Sequence, residues 1–288
     1  MLANEKAAPG GAKNISIGSA ISDGFDAYKS QVAYGLGIFA LAILIGLAFV
    51  VLSSIIGFVV TMIATVVGMN KAAYYVIFQA VNLPLNVFFV GLQSAGMWQC
   101  GISLARRTMA KDGFGSTLFS GLHHSAEVIK AFALVWLGVA VLQTLVLGIG
   151  FLVNDEMSVW LNAALEGHRP SAPPGPSLVL WFALAMLLAA PVWARTMLAL
   201  PLITDRGYSG LAALKTSWQI TAGSTIKIIL LWVFAGFLAT VGVFLCFIGV
   251  LFTGPMALTM VGNLVDQFLK TLPVAAQPGA APSQPFPG

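Results

Sequence analysis

Long apolar stretches separated by short polar ones set the pattern of this chain. Between Gln31 and Ala105 the single charged side chain is Lys71, and Ala131 to Asn154, Pro170 to Ala194 and Ile228 to Val265 contain no Asp, Glu, Lys or Arg. A helix of about 20 apolar residues crosses a bilayer core. In lipid every backbone amide must be bonded within its own segment, so such runs are helices. One apolar run on its own reads equally well as a buried core helix. Four of them would leave almost no surface to face water. The pattern therefore predicts an all-α, polytopic transmembrane bundle.

The order of elements follows from the interruptions. Residues 1–14 read as a disordered cytoplasmic arm and 272–288, rich in Pro, Ala and Gly, as a disordered tail, which leaves 15–271 as the transmembrane domain. Ile17, Ile21, Phe25 and Tyr28 recur at helical spacing, with Asp23 and Asp26 off the stripe, so 15–30 is expected to be an amphipathic helix in the headgroup layer. No apolar segment precedes it, and the first span is expected to act as an uncleaved signal-anchor. That span begins near Val32 and its apolar run reaches Asn70, with Lys71 marking the turn. The second helix runs from about Ala73 to Arg107, with Pro84 as a kink or restart point. The third covers Lys130 to Val153, followed by an outside loop, 154–177, whose Trp160 is expected to anchor at the interface. The fourth runs from Leu178 to Ile203 with Pro191 inside it. The fifth runs from Ile228 to Phe252 and is ended by Thr253-Gly254-Pro255, and the sixth, Met256 to Leu269, is short for a crossing. Six spans result; an eight-span arrangement also satisfies the charge rule below.

A weak three-fold repeat of helical hairpins runs through this order. The patches Ile21–Phe25, Leu118–Leu122 and Leu214–Trp218 each lead into a long apolar helix and then a returning one, and Phe25, Leu122 and Trp218 are 97 and 96 residues apart. Each unit reads as an interface helix, an outward span and an inward span. Phe25, Leu122 and Trp218 are the expected interface anchors. Transporter folds use repeats of this kind, and simple duplication of a hairpin produces them too.

Charge adds orientation. The chain is 58% hydrophobic and 8% charged, with a net charge of +4, against about 25% charged residues in ordinary soluble domains. With the spans above, Lys6, Lys13, Lys29, Arg106, Arg107, Lys111, Lys130, Arg195, Arg206, Lys215, Lys227 and Lys270 fall on one side, and only Lys71 and Arg169 on the other. The positive-inside rule makes the first side cytoplasmic and puts both termini there. The basic balance is thereby explained by topology. No zinc-finger spacing, RNA-binding aromatic motif or long basic run points to nucleic acid. Cys100 and Cys246 fall near opposite faces and are expected to be free thiols.

Few residues are candidates for chemistry. Gln79, Asn82, Asn86 and Gln93 share one face of the second helix. They read as a polar binding path or as hydrogen-bond glue between helices, worth about 0.6 kcal/mol each. Arg195 and Asp266 are the charges expected at membrane depth, where charge marks a functional site by default. They would pair across spans four and six, or else Arg195 snorkels to the headgroups and Asp266 pairs with Lys270 at i, i+4. A metal at His123, His124 and Glu127 would need at least one more well-placed ligand, so no metal and no cofactor are expected. No nucleotide, hydrolase or metalloprotease motif is present, and the chain is not expected to be an enzyme.

Two stretches carry a resemblance. One comprises Gly91-Leu-Gln-Ser-Ala-Gly-Met-Trp, Arg106-Arg107, Asp112-Gly113-Phe114 and Leu118-Phe119-Ser-Gly-Leu122; the other comprises Leu200-Pro-Leu-Ile-Thr-Asp-Arg-Gly-Tyr-Ser and Ala212-Ala-Leu-Lys-Thr-Ser-Trp-Gln-Ile-Thr. Together they resemble the polytopic membrane domain fused to some bacterial glycerophosphodiester phosphodiesterases and its stand-alone bacterial relatives, over residues 15 to 270. The resemblance implies an inner-membrane protein of about six spans and transfers no catalytic residue. The expected function is thus a non-enzymatic multi-pass inner-membrane protein, an organising, envelope or assembly component. Its expected partners are membrane lipids and a protein at the cytoplasmic face. The alternative is a transporter or permease subunit with its site along the polar face of the second span.

Overall fold

The computed structural model describes residues 15–68, 71–155, 159, 176–244 and 248–272. Among them the chain is all-helical, 92% helix with no strand. The expected arm and tail, Trp160 with most of the 154–177 loop, and Cys246 lie outside the described residues.

Helix α1 (Ile17–Ser30) starts where the Ser16 hydroxyl accepts from the Ser19 amide at 3.3 Å and ends with Lys29 in its last turn, where the helix dipole favours a cation. Its buried face is Ala20, Gly24, Ala27 and Tyr28. Phe25, expected to share a lipid-facing stripe with Tyr28, is exposed while Tyr28 is buried. The small face wins because it permits close approach: a Cβ on Gly24 would lie 2.7 Å from the Met260 Cα.

Next come α2 (Val32–Val67) and α3 (Lys71–Ala105), 36 and 35 residues long. At about 1.5 Å per residue each exceeds the roughly 30 Å hydrocarbon core. Gly68 at φ 68° caps α2, and Lys71, expected to mark the turn, is the first residue of α3. Neither helix is interrupted, and α3 runs on through Pro84. Short helices α4 (Met109–Asp112), α5 (Phe114–Leu118) and α6 (Ser120–His123) then lead into α7 (Ser125–Val153).

Helix α8 (Pro176–Thr196) contains Pro191 and is followed, after a two-residue turn, by α9 (Ala199–Arg206). Helix α10 (Gly210–Thr221) passes through a 3-10 turn into α11 (Thr225–Phe244), and α12 (Ile248–Lys270) closes the order. The expected break at Thr253-Gly254-Pro255 is absent: all three residues lie inside α12, which is helical from Ile248. A proline removes one helical hydrogen bond. Tertiary packing outweighs that loss, since Gly254 meets the Phe39 ring and a Cβ on Gly35 would stand 3.0 Å from both Pro255 and Tyr28.

Five stretches are long and apolar enough to cross a membrane: Val32–Val67, Ala80–Ala105, Ser125–Val153, Val179–Arg206 and Gly210–Gly242. Many of their apolar side chains point outward, with Val66 82%, Leu152 87% and Leu187 68% exposed. Water does not tolerate contiguous apolar surface on that scale. The buried core gathers at one end of the bundle, where Leu198, Leu202, Ile228, Leu264 and Phe268 pack together. Helix α12 is its centre and packs against α1, α2, α3 and α11.

Candidate functional site

At this end α3, α9 and α12 finish side by side, and their last turns carry charge. Arg106 follows the last residue of α3. Its turn is a Schellman motif in which the Thr108 amide donates to the Ser103 carbonyl at 2.9 Å and the Arg107 amide to Leu104 at 3.1 Å. Arg107 takes the left-handed position at φ 59°. Held this way, Arg106 donates from Nε to Asp266 Oδ1 at 2.6 Å and from Nη1 and Nη2 to the two Asp205 oxygens at 2.8 and 3.3 Å. Lys270 Nζ reaches Asp266 Oδ2 at 2.7 Å. Arg206 stands 3.3 Å from Asp205 through Nε, outside hydrogen-bond geometry, and donates from Nη2 to the Leu269 carbonyl at 3.2 Å.

The Asp266 side chain is 3% exposed, so Arg106 and Lys270 rather than water meet its two oxygens. Burial works against the charged Arg106 guanidinium, but the bonds and charges of Asp205 and Asp266 outweigh it and raise its pKa above the usual arginine value. Such a network clamps helices in register, because separating it strands a carboxylate away from water.

The other polar groups of α12 tie down α1. Gln267 accepts from the Ser16 amide at 3.3 Å and donates to the Ser19 hydroxyl at 3.1 Å, and Asn263 donates to the Ser19 carbonyl at 3.4 Å. Across the way, Glu127 accepts from the Gly210 amide at 2.7 Å and from Lys130 at 2.8 Å, capping α10 from the start of α7. Among the described residues no group of His, Cys, Asp and Glu is placed to hold a metal.

A second polar node lies at the α8–α9 break. There the Arg195 carbonyl accepts from Ser217 Oγ at 2.6 Å and Thr221 Oγ1 at 3.2 Å, while Ser217 Oγ takes the Leu198 amide at 3.2 Å. Two fully buried hydroxyls on α10 thus supply the bonds that the broken helix lacks. The Arg195 guanidinium donates from Nε to Thr225 Oγ1 at 3.3 Å and lies 4.9 Å from the Trp218 ring centroid.

The structure does not bring Arg195 and Asp266 together. Arg195 stacks on α10 beside the helix break, whereas Asp266 lies with Arg106 in the layer where α3 and α12 end. The local Asp266–Lys270 pair is present, joined by Arg106. The polar stripe is engaged with backbone: Asn82 donates to Phe78 at 3.2 Å, Asn86 to Asn82 at 2.9 Å, and Gln93 crosses to the Ala42 carbonyl on α2 at 3.1 Å. The Gln79 side chain lies outside the described residues. Phe25 carries Lys29 Nζ 4.1 Å above its ring, and Phe25, Leu122 and Trp218 are all exposed.

Sequence reasoning assigned Arg106 and Asp205 to topology and turn formation and missed their pairing. A signal was present: they are 99 residues apart, close to the spacing of Phe25, Leu122 and Trp218, and both stand at the C-terminal end of a helix.

Comparison with protein-family models, with curated proteins and with solved structures finds no match.

Proposed function

We propose that this chain is a non-enzymatic, multi-pass protein of the bacterial inner membrane with an organising or assembly role. In this reading it has six spans, with α12 as the sixth, and both termini on the cytoplasmic face. It is built as three units of interface helix, outward span and inward span, related to the membrane domain its motifs resemble. The observation that carries the reading is the clamp of Arg106, Asp205 and Asp266. It ties the ends of three helices into one rigid layer, while the apolar flanks of the same helices are left open to lipid. A protein partner would meet the exposed side of the short helices at this layer, around Phe25 and Leu122.

A permease rests on free polar groups at membrane depth. Asn82 and Asn86 each donate one bond to a carbonyl of their own helix, and Gln93 donates across to α2, so Gln93 supports the glue role. The test is cysteine scanning at 86 and 93 in a Cys100→Ala, Cys246→Ala background, with membranes treated with a small hydrophilic thiol reagent. Protection at both positions, with copurification of a partner that is lost in Phe25→Asp, is the expected result. Rapid labelling at either position would replace this reading with a transport path.

A further inference from the structure

We infer that Arg195, Trp218 and Lys215 form a binding site for the phosphodiester of an anionic phospholipid, an inference that rests on the membrane reading above and assigns it a specific locus. Depth comes first. Helix α11 begins at Thr225, directly after a 3-10 turn, and its 20 described residues already suffice, at about 1.5 Å per residue, for one hydrocarbon core of roughly 30 Å. Thr225 therefore stands at the membrane boundary, and Arg195, bonded to its hydroxyl, stands there too. Below this line α11 turns Ile226 and Leu230 outward, and on α10 Leu211, Lys215 and Trp218 share the exposed side.

Charge selects the ligand. Helices α8, α10 and α11 carry Arg195, Lys215 and Lys227 and no carboxylate. Arg106 and Arg206 meet Asp205, but Arg195 has no carboxylate partner among the described residues, and its Nη groups have none of any kind there. Lys227 is turned away to the Ile15 carbonyl at 3.0 Å. A guanidinium with Nε tied down and its outer face free presents two parallel N–H groups, the arrangement that matches two phosphate oxygens. The Trp218 ring stiffens it from one side. The bonds from Ser217 and Thr221 to the Arg195 carbonyl fix the backbone on which it is mounted, so the site is built before lipid arrives. With no carboxylate on α8, α10 or α11 to hold a choline or ethanolamine cation, the site favours headgroups of net negative charge.

The test uses the full chain in detergent, incubated with equal amounts of phosphatidylglycerol and phosphatidylcholine and weighed intact by native mass spectrometry. Wild type is expected to retain phosphatidylglycerol preferentially. Arg195→Gln should weaken that retention about fivefold, the loss of one basic residue at an anionic surface. Lys215→Gln should weaken it too, and because Lys215 is exposed without a described partner, this variant decides if Arg195→Gln does not fold. Arg195→Lys should recover part of the loss, since charge returns without the planar fork. Excess inorganic phosphate should leave the lipid bound. Equal retention of both lipids by wild type, unchanged retention in both glutamine variants, or displacement by phosphate would each overturn the site. Release of the chain from membranes by a carbonate wash would instead remove the membrane reading itself.

Discussion

Arg106 and Asp266 are 160 residues apart in the chain and 2.6 Å apart in space. They meet because α3 and α12 cross on glycine one turn before them, where a Cβ on Gly262 would strike the Gly101 backbone. Backbone contact at Gly101 and Gly262 brings both helix ends within reach of one guanidinium. The ion pair in turn keeps the crossing closed.

Removing one partner of this clamp should cost more than the pair contributes. Arg106→Gln leaves Asp266 buried beside Lys270 alone and should destabilise the chain by about 3 kcal/mol. Asp266→Asn in the same chain should restore part of that, giving a coupling energy of about 1 kcal/mol or more in a double-mutant cycle of thermal unfolding in detergent. Additive losses would mean the two side chains act independently.

Glycine substitutions should divide sharply by position. Gly262→Val forces α3 and α12 apart and should cost at least about 3 kcal/mol. Gly46→Ala, on α2 where a Cβ meets nothing within 4 Å, should be neutral or should stabilise by about 0.5 kcal/mol. Thermal unfolding of the two variants beside wild type checks the pair.

Arg107 is the one non-glycine residue at positive φ among the described residues. Left-handed geometry costs an L-residue about 1 kcal/mol or more, and the flexibility of glycine in the unfolded chain offsets part of the relief. Arg107→Gly should therefore raise stability by about 0.5 kcal/mol. A drop in melting temperature would show that the Arg107 side chain makes a contact worth more than its strain.

Tyr28 should carry an alkaline signature. Its hydroxyl is buried without a partner, and burial pushes its pKa above the ordinary 10.0. The unfolded chain ionises first as pH rises, so the contribution of Tyr28 is intact below pH 10.0 and is lost as pH climbs through the folded value. Tyr28→Phe should gain about 1 kcal/mol near neutral pH by deleting an unsatisfied group. Its melting temperature should also fall less steeply than that of wild type in alkali.

Where the determinants were local, the sequence was readable. The helix start at Ile17 and the apolar runs each depend on neighbours within a few residues. Thr253-Gly254-Pro255 misled for the complementary reason. It is a breaker by composition, yet it packs within α12, with Gly254 against Phe39 and Pro255 against Gly35. Composition and periodicity alone determined that the described chain is helical and apolar enough to cross a membrane, because the energy of placing residues in lipid or water is a property of each segment. Tertiary structure decided which charges meet. Arg195 and Asp266 sit near the ends of different helices, and the crossing of α3 on α12 and the break after α8 set their partners. Those partners depend on distances between helices, which no single segment encodes.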